Sequence, residues 1–98
     1  MPYYVLLTKL TEQGRKTVKN KPERVREVNK EGTEMGAKLI FQYATLGPYD
    51  FVSVVEAESN EVMVKVSVEL GARGTLEMMT LPALEIDKFI GNVWAPRR

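Results

Sequence analysis

Gly47-Pro48-Tyr49-Asp50-Phe51 stands between two apolar runs, Leu39 to Leu46 and Phe51 to Val55. Pro48 pre-sets the backbone bend that opens a tight turn. Asp50 carries a carboxylate able to accept hydrogen bonds from nearby backbone amides, so the stretch reads as a hairpin connection between two antiparallel strands. The neighbouring elements fall into place on either side of it. The strand before the turn runs from Ala37 to Leu46 and the strand after it from Phe51 to Glu58. Gly36 ends a helical region that begins at a Thr11 cap and is interrupted at Pro22, which fits the first position of a second helical segment running to Met35. Gly14, Val18, Val25, Val28, Gly32 and Met35 form one stripe of that region, and the basic residues Arg15, Lys16, Lys19, Lys21, Arg24, Arg26 and Lys30 lie mostly off it. The region is therefore amphipathic, with a solvated face supported by pairs such as Glu23 with Arg26 and Glu27 with Lys30. Tyr3 to Leu10, dense in aromatic and aliphatic residues, reads as the first strand.

Beyond the hairpin, Ser59 to Leu70 carries two patterns at once. Val62, Val64, Val66, Val68 and Leu70 alternate as in a strand, while Val62, Val66 and Leu70 also fit a helical stripe between a Ser59-Asn60-Glu61 cap and the punctuation of Gly71 and Gly74. Thr75 to Leu81 reads as a strand, and Ile86, Phe89, Ile90, Val93 and Trp94 predict a terminal amphipathic helix. No internal repeat, linker or low-complexity segment interrupts the chain, so 1–98 is expected to form a single domain.

The Gly-x-Tyr-Asp stretch at the start of a strand resembles the signature of the GYD family. The resemblance extends to Thr11-Glu12-Gln13-Gly14, to Asn20, Pro22 and Arg24, and to Gly71, Gly74, Thr80, Leu81 and Ala83, covering residues 4 to 90. It implies a ferredoxin-like α+β fold of the dimeric α/β-barrel superfamily, a group without one agreed activity. It also decides the ambiguous segment in favour of a helix. The expected order is then βαββαβ, a sandwich of helices on a four-stranded antiparallel sheet, followed by the C-terminal helix.

Composition narrows the chemistry. The 98 residues include no cysteine and no histidine. Disulfides, thiolate nucleophiles, imidazole bases, the usual zinc sites and haem ligation through either residue are thereby excluded. No clustered Asp/Glu motif points to a carboxylate-built metal site, and no cofactor is expected. A net charge of +1 gives no field for a polyanion. The glycine-aromatic echo of an RNA-recognition strand at Gly47, Tyr49 and Phe51 is broken by Pro48 and by the repulsive Asp50, so no nucleic-acid partner is expected. There is no signal-peptide pattern and no apolar run near the roughly 18 residues of a membrane span, which gives a cytoplasmic expectation.

Each strand is apolar on both faces. Val5 and Leu7 oppose Leu6 and Leu10; Leu39 and Phe41 oppose Ile40 and Leu46; Val52 and Val54 oppose Phe51 and Val55; Leu76 and Met78 oppose Met79 and Leu81. An antiparallel sheet with helices on one side ordinarily leaves a polar, wet face on the other. The second apolar face therefore predicts a homodimer through the sheet, with the terminal helix folding across that face as the competing cover.

Candidate functional residues are the polar groups in or beside these strands. Tyr43, Tyr49, Asp50 and Arg73 are the candidate ligand contacts, the first three as polar orienters of a small apolar or aromatic molecule held between sheet and helices, and Arg73 as a clamp for a carboxylate. Glu56 and Glu77 are read as wet strand-edge residues, Asp50 as a turn acceptor, and Arg73 as solvated if it binds nothing. The chain departs from the family it resembles at two points, since members of that family often carry a basic residue where Glu77 stands and an aromatic where Leu10 ends the first strand. The resemblance further implies an alternative, a cofactor-independent monooxygenase or isomerase with Asp50 as general base and Tyr43 or Tyr49 as the donor to an enolate oxygen.

Overall fold

Strand β1 (Tyr3–Leu10) lies inside a four-stranded sheet and pairs antiparallel with both β3 (Phe51–Glu56) and β4 (Leu76–Ala83), while β2 (Lys38–Ala44) pairs with β3, giving the order β2-β3-β1-β4. The computed structural model describes residues 1–94. Helices α1 (Glu12–Asn20) and α2 (Arg24–Glu34) form the first crossover and α3 (Asn60–Gly71) the second. The arrangement is the ferredoxin-like α+β sandwich.

Local chemistry fixes the ends of these elements. The Thr11 hydroxyl accepts from the Gly14 amide at 3.1 Å and donates to the Gly74 carbonyl at 2.8 Å, capping α1 and tying it to the start of β4. Gly14 is required there, because a Cβ would stand 1.9 Å from the Thr75 carbonyl oxygen. Pro22 precedes α2 rather than starting it, and α2 opens at Arg24. In α3 the helical pattern prevails over the alternating one: the Ser59 hydroxyl accepts from the Val62 amide at 3.3 Å, and Met63, Val66 and Leu70 are buried while Val64 and Val68 face solvent. The core is centred on Tyr4, Leu6, Val55, Met63, Val66 and Leu70. Fully buried Tyr4 donates its hydroxyl to Asn60 Oδ1 at 2.7 Å, joining β1 to the first turn of α3.

Strand β2 departs from the sequence expectation in two ways, each with a physical reason. Strand β2 ends at Ala44, not Leu46, because Thr45 already closes the turn: its amide donates to the Asp50 carbonyl at 2.8 Å and its hydroxyl to the Tyr49 carbonyl at 2.8 Å. Leu46 is left fully exposed, and Gly47 takes the left-handed conformation at φ 103°. A bulge between Leu39 and Phe41 inserts Ile40 into β2, so Leu39 and Phe41 lie on opposite faces instead of the same one.

The C-terminal helix is a short α4 (Ile86–Lys88) that widens into π-type winding over Phe89–Trp94. Its contacts are largely internal, with Phe89 and Trp94 edge to face at 5.9 Å, and Ile86, Ile90 and Val93 exposed. It does not fold across the sheet. The chain is accordingly elongated, 57 × 27 × 18 Å, with a radius of gyration of 15.1 Å where a compact chain of this length has about 13 Å.

Candidate functional site

A cavity of about 170 Å³ lies between the sheet and the α1–α2 layer. Its walls are mainly apolar, with Leu6, Leu39, Phe51 and Met78 from the sheet and Val25 and Val28 from α2. The space exists because the helical stripe carries glycine where a larger residue would fill it. Gly32 is buried and lines the cavity, yet a Cβ placed on it would meet no atom within 4 Å.

Polar groups sit at defined points of this wall. Gln42, on the helix-side face of β2, accepts from Asn29 Nδ2 at 2.7 Å and donates to Asn29 Oδ1 at 3.3 Å and to the buried Ser53 hydroxyl at 3.1 Å. The amide pair thereby holds α2 to the sheet, and Ser53 keeps a proton to donate. Arg24 and Arg73 also line the cavity, and both reach Glu31. Arg24 lies 3.1 Å from Glu27 and 3.7 Å from Glu31, and Lys21 lies 3.0 Å from Glu27. Hydrogen bonding from Arg73 holds the Glu31 carboxyl below its ordinary range, and hydrogen bonds from Lys21 and Arg24 do the same for Glu27. Glu27 therefore pairs with Lys21 and Arg24 and not with Lys30, whereas the expected Glu23–Arg26 pair forms at 3.2 Å.

The four sequence candidates are not brought together. Only Arg73 lines the cavity, exposed at its edge and paired with Glu31. Tyr43 points from the opposite face of the sheet, 65% exposed, with its ring 5.5 Å from that of Phe41. Tyr49 lies in the turn, away from the cavity lining. The Asp50 carboxylate accepts the Leu10 amide at 2.7 Å, and the Asp50 amide donates to the Thr8 carbonyl at 2.8 Å. Its partner is the far end of β1 and not an amide of its own turn, so Asp50 fastens the hairpin to the neighbouring strand. Asn29, Gln42 and Ser53 escaped the sequence reading. The signal available was the polarity of Gln42 and Ser53 inside otherwise apolar strands, Phe41-Gln42-Tyr43 and Val52-Ser53-Val54, whereas Asn29 on α2 had none.

The face of the sheet away from the helices has its own order. Across the strands the registers align Phe41, Val54, Val5 and Leu81 in one row and Tyr43, Val52, Leu7 and Met79 in the next. Cross-strand Lys38 and Glu56 flank this block at one end, and Lys9 and Glu77 at the other. Among the described residues nothing covers the block, and Met79 is 49% exposed.

Comparison with known proteins agrees with this architecture. The GYD domain family model matches residues 4–93. A Thermus thermophilus protein named glutamine synthetase and cystathionine beta-lyase binding protein is 40% identical over 94 residues, which span 95% of this chain and 99% of that one. The crystal structure of TTHA0845 from Thermus thermophilus superposes with a TM-score of 0.55 at 21% identity, over 99% of this chain and 100% of the other. A dimeric ferredoxin-like protein from an uncultured marine organism aligns at a TM-score of 0.44 and 12% identity, over 88% and 95% of the two chains.

Proposed function

The chain belongs to the GYD domain family, and on that premise we propose that it works as a homodimeric binding module holding a small, largely apolar molecule between its sheet and helices. Residues 1–98 act as one unit. The observation that carries the reading is the cavity of about 170 Å³ with open space above Gly32. A partly open apolar cleft of that size leaves its walls in contact with water, and a ligand that fills it recovers that burial. The protomers pair through the apolar rows of the open face, where a two-fold axis would set the Lys/Glu pair at each end against its counterpart. Tyr43 then belongs to the protomer interface and Arg73 to the ligand site. Catalysis by Asp50 as general base is disfavoured by its place outside the cavity and its bond to the Leu10 amide.

Native mass spectrometry of the untreated protein tests both halves. A dimer carrying added mass supports the module and supplies the ligand for identification. A strict monomer removes the sheet-on-sheet pairing, and a dimer that takes up no small molecule from a metabolite extract removes the ligand site.

A second reading comes from the name of the 40% identical relative. The module in this reading also docks on enzymes of the kind that name states, glutamine synthetase and cystathionine beta-lyase. Co-elution with the purified Thermus thermophilus enzymes on a sizing column tests it, and separate elution at micromolar concentrations of both would remove it.

A further inference from the structure

We infer that the molecule held in this cavity is a monocarboxylate with an apolar body about the size of one six-membered ring, its carboxylate seated at Arg73 and Arg24. This rests on the cavity being a ligand site. Three observations define the class. The first is size: about 170 Å³ is close to the engineered cavities, on the order of 150 Å³, that take up benzene. A nucleotide or a long-chain lipid exceeds it. The second is the wall, mainly aliphatic with the ring of Phe51, and with bare backbone at Gly32 on the α2 side. The third is charge. Two guanidiniums line the cavity and no carboxylate does.

The ion pairs at that edge leave one positive charge over: Lys21, Arg24 and Arg73 face Glu27 and Glu31. Arg24 and Arg73 come from different elements, α2 and the turn after α3, and in the free protein Glu31 bridges them. Glu31 holds the two donors at a spacing one carboxylate can span, so a ligand carboxylate meets a preorganised fork. The Ser53 hydroxyl, which accepts from Gln42 on the sheet side and keeps its own proton, is a further donor in the lining and suits a substituent on the ring.

The test uses two matched pairs of probes, benzoate with benzamide and cyclohexanecarboxylate with its amide, titrated into the full chain while backbone amide NMR shifts are followed. The acids are expected to bind about tenfold or more tightly than the amides, shifting Gly32 and Ser53. Arg73→Gln is expected to remove that preference while leaving amide binding in place. Gly32→Leu is expected to abolish binding of all four, and Gly32→Ala to weaken it, with unchanged circular dichroism. Equal binding of acids and amides, blocked by Gly32→Leu, overturns the carboxylate class and keeps the ligand site. Failure of all four probes to shift the cavity amides, or shifts that persist unchanged in Gly32→Leu, overturns the ligand site itself.

Discussion

The two faces of this sheet are built from the same strands and do opposite things. Toward the helices, polar residues interrupt the apolar surface at Thr8, Ser53, Gln42 and Thr80, and a cavity remains beside the first three. Toward the open side the central rows are apolar with the phenol of Tyr43 as their polar group, and charge appears at the ends. In a chain that buried only one face, the distribution would be reversed. The contrast separates two physical roles: the covered face gives up some packing for polar anchoring and a hole, and the open face is a packing surface awaiting its counterpart.

Substitutions that respect this division should fail in different ways. Tyr4→Ala removes a fully buried ring and the bond to Asn60, and is expected to cost about 3–5 kcal/mol in denaturant unfolding at fixed protomer concentration. Val54→Asp, in the middle of the open face, is expected to leave the protomer's circular dichroism intact while sedimentation shows dissociation. An unpaired charge at a closed apolar interface costs about 3 kcal/mol or more. A Val54→Asp protein that remains a tight dimer would place the pairing surface elsewhere. Asp50→Ala comes next, at about 1–3 kcal/mol, because it strands the Leu10 amide; Asp50→Asn keeps an acceptor oxygen and should lose less.

How much of this was legible in the sequence follows the range of the interactions involved. Local chemistry was readable: the caps at Thr11 and Ser59, the break near Pro22, and the turn at Gly47-Pro48 all act within a few residues. The apolar alternation of β1, β3 and β4 also survived folding, because period-two patterning has one outcome unless a residue is inserted. Ile40 is such an insertion, and nothing in Leu39-Ile40-Phe41 distinguishes a bulge from regular strand. The candidate site was harder for the same reason. Asp50 and Leu10 lie forty residues apart, and the Asn29–Gln42–Ser53 chain links three elements whose approach is set by packing alone. Titratable residues are the ones a sequence marks as candidates, whereas the polar groups around the cavity are mostly amides and hydroxyls, with a side chain missing at Gly32. Trp94 and its neighbours read as a regular helix from spacing, yet with little of the body against them they wind as a short α-turn and a π-segment.

Gly32→Ala sharpens the contrast from the covered side with a smaller effect of opposite sign. Glycine inside a helix costs roughly 0.5–1 kcal/mol relative to alanine. Here the added methyl meets nothing within 4 Å. The free protein should therefore gain about that much stability, while any molecule in the cavity loses room. A destabilised Gly32→Ala protein would mean that α2 sits closer to the sheet than this geometry allows.

The smallest effect concerns the acid side of the stability curve. Arg73 donates to Glu31 and holds its carboxyl below the ordinary value of 4.5, with desolvation opposing and the Arg73 and Arg24 charges adding to the lowering. A carboxyl with a lowered folded-state value binds fewer protons folded than unfolded, so its contribution is fully present above about pH 4.5 and is lost as pH falls through the folded value. The unfolding midpoint should thus decline below that pH, and Glu31→Gln should flatten the decline without abolishing it, since Glu27 is lowered by Lys21 and Arg24 in the same way. Both carboxylates are partly solvated and screened by salt, so the difference between wild type and variant should shrink as ionic strength rises. The position of the pair makes the small effect informative. Glu31 joins α2 to the turn leading into β4 at the edge of the cavity, so a carboxylate seated at Arg73 should share that guanidinium with it and weaken its bond. The difference between wild type and Glu31→Gln on the acid side should then shrink in the liganded protein, whereas a substitution on the open face should leave that difference unchanged.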